Sequence, residues 1–329
     1  MDHVTDPVTL VIERHPQISL RARALNAGLR AVLAPAIRRV PQGPIDFRRA
    51  GSLDRMASRV RHPKGSRVER VELDGFRAEW VHGPGVGRDR SRVILYFHGG
   101  GWISCGLNTH RPMISRLSAA AGVPAFSVAY RMLPEVTFAE EALDCLAAYK
   151  WLLEQGVAAE DIVISGDSAG GYLTFATALL AREDGLPMPA ALIALSPMLD
   201  MDLAAKAAHP NTALDEVSLM PLLDAFLVEI LGGLDPADPR VSPIHADLRG
   251  LPPSYLCCSS SEVLACDSET MAARLAAAGV TTVLQTWAGQ LHVFQIFGSA
   301  LPESKAAIAA YGRWTREAFE RAAAGRAAV

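Results

Sequence analysis

The stretch DIVISGDSAGGYLTFATALLARE, residues 161–183, joins two kinds of pattern at a glycine-rich turn. Its first residues form a short apolar run typical of a strand buried on both faces, and its last residues have the length and apolar content of a helix. Between them, Gly166, Ser168 and Gly170 form a G-x-S-x-G pattern. In a strand–turn–helix context this pattern lifts a serine oxygen clear of the sheet, as a nucleophile requires. An ordinary serine at a helix N-cap is the alternative interpretation.

Apolar runs and helical segments alternate along the chain around this turn. Each run is short and bounded by Gly, Pro or Asp, which favours a strand covered on both faces. Predicted strands cover residues 92–97, 124–130, 161–166, 191–196, 254–259 and 281–287. Predicted helices cover residues 110–121, 138–155, 169–183, 267–278 and 303–323. This alternation predicts an α/β fold with a mostly parallel sheet flanked by helices on both faces.

Two parts of the chain interrupt the alternation. Residues 1–60 contain an arginine-rich amphipathic pattern around 18–33, and residues 200–250 contain a helix candidate at 219–231. Insertions at the C-terminal edge of such a sheet usually cover the site. We therefore predict helical cap elements at residues 1–60 and about 200–235, and a catalytic domain formed by residues 61–199 and 236–329. Residues 67–83 read as a hairpin that turns near Asp74-Gly75.

The segment HGGGW (98–102) directly follows the predicted strand at 92–97. Three glycines after a strand let the backbone approach a ligand closely, and an HGGG loop upstream of a G-x-S-x-G turn is typical of the oxyanion loop of lipases and esterases. His98 is expected to organise the loop rather than to act as a base. The N-terminus of the helix after Ser168 also offers the backbone N–H of Ala169 to a developing oxyanion.

In enzymes with this kind of serine turn, the acid and the histidine follow the serine in that order. Of the histidines after Ser168, His209 and His245 lie in the insertion and the proline-rich segment. His292 lies in a loop just past the last predicted strand, on the side of the sheet where Ser168 is expected. We predict His292 as the general base.

Two carboxylates follow the penultimate predicted strand in SSSEVLACDSE (259–269). Glu262 falls in the loop, from which a side chain can reach toward the histidine. Asp267 opens a predicted helix, where a carboxylate is commonly used by backbone donors of the first turn. Glu262 is the favoured acid and Asp267 the alternative.

Together these motifs resemble the hormone-sensitive-lipase-like family of bacterial esterases. The resemblance also includes YRMLPE (130–135), SPMLD (196–200), DPRVSPIHADLRGLPP (238–253) and LHVF (291–294). It implies an α/β-hydrolase fold with a helical cap over the active site and hydrolysis of carboxylic esters with short to medium acyl chains. It further implies Ser168 as nucleophile, His292 as base and an oxyanion hole formed by the N–H groups of Gly100, Gly101 and Ala169. The usual acid of the family is an aspartate about 30 residues before the histidine; here that position is Glu262.

The composition limits the other classes of function. The formal net charge is −3, which gives no general drive toward nucleic acid. The five cysteines form no C-x-x-C pair, so neither zinc nor a disulfide framework is suggested, and no metal or cofactor is implied. The N-terminus lacks a signal-peptide pattern and no apolar run approaches a membrane span, so a cytoplasmic protein without a stable membrane anchor is expected.

Several alternatives stay open from the sequence. The same triad serves amidases and deacetylases, and the fold also serves as a binding module. A homodimer through the last strand and helix is a family expectation. Trp102, Phe138 and Leu219 are candidates either for the acyl pocket or for the core.

Overall fold

The computed structural model describes residues 10–37, 46–214 and 220–327. Its centre is a nine-stranded sheet in the order β1-β9-β8-β7-β6-β4-β5-β3-β2. The strands are β1 (Leu10–His15), β2 (Arg67–Glu72), β3 (Arg77–His82), β4 (Val93–Phe97), β5 (Ala125–Ala129), β6 (Ile162–Asp167), β7 (Ala191–Leu195), β8 (Ser254–Ser259) and β9 (Thr282–Trp287). The β2–β3 and β3–β5 pairs are antiparallel and all other pairs are parallel. The α/β-hydrolase fold expected from the sequence is confirmed.

Helices cover both faces of this sheet. They are α1 (Leu20–Ile37), α2 (Phe47–Ala50), α3 (Ser52–Ala57), α4 (Leu107–Ala121), α5 (Phe138–Glu154), α6 (Ala169–Glu183), α7 (Ala204–Ala208), α8 (Asn211–Leu214), α9 (Met220–Leu231), α10 (Ala265–Ala277) and α11 (Pro302–Ala327). Each helix and each of the six central strands predicted from the apolar pattern is present within a few residues of its predicted bounds. The predicted hairpin is present as β2 and β3.

Alternate residues of β4 belong to two separate apolar cores. Leu95 and Phe97 join the core beneath α5 and α6, whereas Ile94 and Tyr96 join the core beneath α4 and α11. Because side chains alternate across a strand, a run that is apolar throughout is buried on both faces. This double burial explains why the central strands read as continuous apolar runs.

The N-terminal segment departs from the expected wholly helical cap. Residues Leu10–His15 form the edge strand β1, which pairs parallel to β9. The run Leu10-Val11-Ile12 favours a strand because β-branched side chains fit a pleated surface, and β9 offers unpaired backbone groups at the sheet edge. The prediction of residues 1–60 as helical is therefore wrong at this strand, whereas α1, α2 and α3 agree with it. The division into a cap and a catalytic domain stays a prediction.

Candidate active site

Ser168 lies at the turn between β6 and α6, at the carboxyl edge of the sheet. Its backbone has φ 54° and ψ −117°, which an L-residue rarely adopts. The turn is held by close backbone packing: a Cβ on Gly166 would lie 2.1 Å from the Gly170 oxygen, and a Cβ on Gly170 would lie 2.0 Å from the Phe97 oxygen. Only glycine fits both positions, so the G-x-S-x-G spacing follows from the packing of the turn against β4. Strain of this kind is typical of functional sites.

The structure brings Ser168, His292 and Glu262 together in one hydrogen-bonded chain. The Ser168 Oγ lies 2.9 Å from His292 Nε2, and His292 Nδ1 lies 2.6 Å from Glu262 Oε2. The imidazole Nδ1–H donates to the carboxylate, so the Nε2 lone pair faces the Ser168 hydroxyl as the acceptor of its proton. The three residues come from turns after β6, β8 and β9, whose carboxyl ends meet at one edge of the sheet.

Glu262 is 2% exposed and its second oxygen is also held. Oε1 accepts hydrogen bonds from the Ser196 hydroxyl at 2.7 Å and from the Ser259 N–H at 2.8 Å. The Ser196 hydroxyl in turn accepts a bond from the N–H of Val293, the residue after His292. Ser196 therefore ties the acid and the histidine loop together. The sequence did not point to this role of Ser196. The available signal was its place directly after β7, since β7 lies between the strands that precede Ser168 and Glu262.

The alternative acid, Asp267, faces different groups. One oxygen accepts hydrogen bonds from the backbone N–H of Leu199 and of Asp200, and the other forms an ion pair with Lys206 Nζ at 2.8 Å. The helix α10 begins at Ala265, so Asp267 lies in its first turn, yet its carboxylate contacts the loop after β7 and α7. The expectation that Asp267 caps its own helix is wrong because a fully buried lysine ammonium and two loop amides compete for the same carboxylate.

The oxyanion loop lies against the nucleophile turn. Gly100 has φ 130° and Gly101 has φ 63°, both in the region that favours glycine, and a Cβ on Gly100 would lie 2.0 Å from the Ser104 oxygen. Ala169, the third predicted donor, is the first residue of α6, where a backbone N–H has no acceptor within the helix.

His98 is buried beneath this loop. Its Nδ1 lies 2.9 Å from the Gly99 oxygen, and its ring stacks on Tyr130, whose hydroxyl donates to the His98 carbonyl. Burial, assisted by the charge of His110, lowers the pKa of His98 to about 4. A neutral imidazole that packs and hydrogen-bonds inside the loop fits the organising part expected of it.

The remaining candidates contact groups other than the three proposed catalytic residues. His245 Nε2 is 3.5 Å from Asp200, and His209 Nε2 is 3.9 Å from Glu269. Trp102 and Phe138 are almost fully buried and pack edge-to-face with each other, so they belong to the core. Leu219 lies outside the described residues.

Two features of the described residues bear on other classes of function. Within residues 10–37, 46–214 and 220–327, no group of three or more His, Cys, Asp or Glu side chains is arranged to hold a metal ion. Over the same ranges, the helices are all too short or too polar to cross a bilayer.

Comparisons with known proteins identify hydrolases that are similar to this chain. The family model described as alpha/beta hydrolase fold matches residues 94–296. The esterase LipU of Mycobacterium tuberculosis is 37% identical over 271 residues, which cover 80% of this chain and 91% of LipU. The acetyl-hydrolase of Streptomyces hygroscopicus is 35% identical over 247 residues, which cover 73% of this chain and 80% of that protein.

The fold matches a solved structure of the same kind. The crystal structure of an esterase from the bacterial hormone-sensitive lipase (HSL) family superimposes with a TM-score of 0.83 at 33% identity, covering 92% of this chain and 99% of that chain. Residues 94–296, which the family model matches, include HGGGW, the Ser168 turn, Glu262 and His292. The chain therefore belongs to the α/β-hydrolase family and, within it, to the hormone-sensitive-lipase-like esterases of bacteria.

Proposed function

We propose that this chain is a serine carboxylesterase in which Ser168 is the nucleophile, His292 the general base and Glu262 the acid that orients His292. As a member of this esterase family, the chain is a carboxylic ester hydrolase acting on small-molecule esters. The observation that supports the residue roles most directly is the continuous chain of hydrogen bonds from Ser168 Oγ through His292 to Glu262.

The first half of the reaction forms an acyl-enzyme. The Ser168 oxygen attacks the ester carbonyl carbon while His292 Nε2 takes the serine proton, and the buried Glu262 carboxylate stabilises the imidazolium that results. The tetrahedral intermediate collapses as His292 gives its proton to the leaving alcohol. In the second half, His292 takes a proton from water as the water oxygen attacks the acyl carbon. The second tetrahedral intermediate then loses the Ser168 oxygen as His292 returns that proton to Oγ, and the carboxylic acid product leaves.

The oxyanion of each intermediate is held by the backbone N–H groups of Gly100, Gly101 and Ala169. A donor fixed before the reaction needs no reorganisation as charge develops, and removal of one such donor typically costs about 2.7–4 kcal/mol. The positive φ of Gly100 and Gly101 supports this proposal, since it turns consecutive amides in a way that ordinary residues rarely allow.

The nucleophile is tested by Ser168→Ala with p-nitrophenyl butyrate as substrate. We expect turnover to fall by about 10⁶-fold, to the level that the oxyanion hole and binding alone provide. A fluorophosphonate should label the wild type once per chain and leave Ser168→Ala unlabelled. Normal turnover by the variant, or labelling at another residue, would contradict the proposal.

The substrate class is proposed as esters with short to medium acyl chains. A series of p-nitrophenyl esters from acetate to palmitate measures this directly. We expect kcat/KM to be greatest among the shorter acyl chains and to fall steeply by palmitate. A maximum at palmitate would refute the acyl-length proposal without affecting the triad.

An amidase or deacetylase is the second candidate, because the name acetyl-hydrolase of the Streptomyces relative specifies the acetyl group and not the bond that is broken. Matched acetyl esters and acetyl amides of the same leaving group separate the two. We expect the ester to be hydrolysed with the larger kcat/KM. A preference for the amide would favour the second candidate.

Location and assembly stay predictions. We propose a cytoplasmic protein and a possible homodimer. In the structure β9 pairs with both β8 and β1, so a dimer formed through the last strand would require β1 to move aside. Light scattering coupled to gel filtration measures the assembly directly.

A further inference from the structure

The carboxylate of Asp167, the residue before Ser168, lies between the nucleophile turn and the oxyanion loop. It is buried, and a Cβ on Gly99 would lie only 2.4 Å from its Oδ2. Its Oδ1 accepts the hydrogen bond of the Tyr96 hydroxyl at 2.7 Å, and its Oδ2 lies 3.1 Å from His110 Nε2. A displacement of this carboxylate would therefore disturb the Ser168 turn and the HGGGW loop together.

His110 connects this carboxylate to the N-terminal segment. It lies in the first turns of α4, and its Nδ1 is 2.9 Å from the Thr109 hydroxyl. The Thr109 hydroxyl lies 3.2 Å from Asp54 Oδ1, and the same oxygen accepts the Thr109 N–H at 2.9 Å. Asp54 belongs to α3. Because its carboxylate accepts the N–H of Thr109 in the first turn of α4, it lies at the N-terminus of α4, where a carboxylate is electrostatically favoured. A chain of contacts leads from α3 through α4 to the residue beside Ser168.

The hydrogen-bond pattern favours an imidazolium at His110. The Thr109 hydroxyl accepts the N–H of Gly106 at 2.9 Å, and Asp54 Oδ1 and the Gly106 carbonyl oxygen are both within reach of its single proton. With the proton on either of these two bonds, His110 Nδ1 donates to the hydroxyl while Nε2 donates to Asp167. Burial alone would lower the pKa of His110, but the charge of Asp167 and its hydrogen bond outweigh burial and raise that pKa above its usual value.

We propose that His110 is a cationic positioning residue, which holds the Asp167 carboxylate against the oxyanion loop and is itself anchored by Asp54. The proposal rests on the proposed ester hydrolysis at Ser168 and assigns no contact with substrate to either residue. Docking of α3 on α4 then contributes to the geometry of the site, although α3 provides none of the three proposed catalytic residues.

The test compares His110→Gln and Asp54→Asn with two matched controls. His245→Gln removes a histidine that also faces a carboxylate, Asp200, and Asp46→Asn removes an aspartate at the N-cap of another N-terminal helix, α2. Active sites are titrated with a fluorophosphonate, and kcat and KM for p-nitrophenyl butyrate are expressed per titrated site. Thermal unfolding is followed on the same samples.

We expect His110→Gln to lower kcat per titrated site and the rate of phosphonylation by up to about 10²-fold, with KM changed less than twofold, because misplaced reacting groups lower the rate of chemistry more than binding. Asp54→Asn should show the same pattern to a smaller degree, and both controls should match the wild type. His110→Ala, which also loses the hydrogen-bond donor, should fall below His110→Gln.

A purely structural role predicts a lower melting temperature with wild-type kcat per titrated site, and that result would overturn the proposal. If His110→Gln does not fold, the Asp54→Asn variant provides the test. Wild-type values of kcat and of the phosphonylation rate in this variant would refute the proposed connection from Asp54 through His110 to Asp167. A wild type that hydrolyses no ester would instead contradict the proposed function, so the two failures are distinguishable.

Discussion

Glu262 and Asp267 are both buried, and the groups around their oxygens differ. Glu262 faces His292, whereas Asp267 faces Lys206 and two backbone amides. We expect Glu262→Gln to lower kcat by roughly 10⁴-fold with little change in melting temperature, since an amide at this position favours the wrong imidazole tautomer. Steady-state kinetics with p-nitrophenyl butyrate and thermal unfolding measure the two effects separately.

Asp267→Asn is the matched control for that variant, because it makes the same change five residues along the chain. It should keep kcat within a few-fold of the wild type once the folded fraction is allowed for, and it should lower the melting temperature. A large loss of kcat in Asp267→Asn alone would indicate that Asp267, and not Glu262, is the catalytic acid.

Gly100 and Gly101 differ in the space around them, and this difference leads to a second residue-scale prediction. A Cβ on Gly100 would overlap the Ser104 carbonyl, whereas a Cβ on Gly101 would have no atom of the described residues within 4 Å apart from its two chain neighbours. Gly100→Ala should displace the loop and lower kcat by about 10²–10³-fold, the loss expected for one oxyanion donor. In Gly101→Ala the only expected penalty is the cost of a left-handed backbone for alanine, about 1–2 kcal/mol, so this variant should lose less activity than Gly100→Ala. Equal losses would contradict the steric argument.

At the scale of elements, the buried pair of Lys206 and Asp267 joins α7 to α10. Lys206 is fully buried and its Nζ also donates to the Asp200 carbonyl. Removal of one partner leaves the other charge buried without compensation, so Lys206→Met and Asp267→Asn should each lower the free energy of unfolding by about 3–5 kcal/mol. The double variant should be destabilised by clearly less than the sum, as a double-mutant cycle in urea measures. Additive effects would show that the two side chains stabilise the fold independently.

A second link between elements holds the backbone of the loop that carries Glu262. Asn211 of α8 donates to the carbonyls of Ser260 and Glu262, both at 2.9 Å. The insertion after β7 thus contacts the backbone of the loop that carries Glu262. The segment at about residues 200–235, which was predicted as a cap, therefore also hydrogen-bonds to the loop that carries Glu262.

Elements that repeat a local pattern could be predicted from the sequence, and elements that depend on distant partners could not. Helix α6 begins and ends at the predicted residues, 169–183, because the glycine turn and the apolar spacing are local signals. The strand β1 was missed because its six residues are followed by a strong helical pattern. Only the free edge of β9, more than 260 residues away, selects the strand for this short run.

For the whole molecule, the proximity of the three proposed catalytic side chains could be predicted because the carboxyl ends of parallel strands meet at one edge of the sheet. Chain order and position after a strand then suffice to bring Ser168, Glu262 and His292 together. Ser196, Lys206 and His110 carry no comparable signature. Each acts through a carboxylate that lies 57 to 66 positions away in sequence, so only tertiary packing reveals the partnership.

The nucleophile turn also contributes to how stability of the whole molecule depends on pH. His98 and His110 are both buried there, with ring centroids 5.6 Å apart, and their pKa values shift in opposite directions from the usual 6.5. The charged or titratable groups that face this pair are Asp167, Asp54, Tyr130 and Cys105. The carboxylate of Asp167 favours the proton on His110, and that proton disfavours a second one on His98.

The signs of these two contributions follow from proton uptake. Between about pH 6.5 and pH 4 the unfolded chain protonates the His98 imidazole and the folded chain does not, so the free energy of unfolding falls as pH falls, by up to about 1.4 kcal/mol per pH unit. Protonated His110 contributes its full stabilisation of the folded state below about pH 6.5, and this contribution is lost as pH rises through the raised pKa of His110.

Urea unfolding of the wild type, His98→Asn and His110→Gln from pH 5 to 9 isolates the contribution of each histidine to the free energy of unfolding by difference. The free energy of unfolding of the wild type minus that of His110→Gln should decrease as pH rises above 6.5. The free energy of unfolding of the wild type minus that of His98→Asn should decrease as pH is lowered from 6.5. Differences that stay constant with pH would contradict a charged His110 beside a neutral His98.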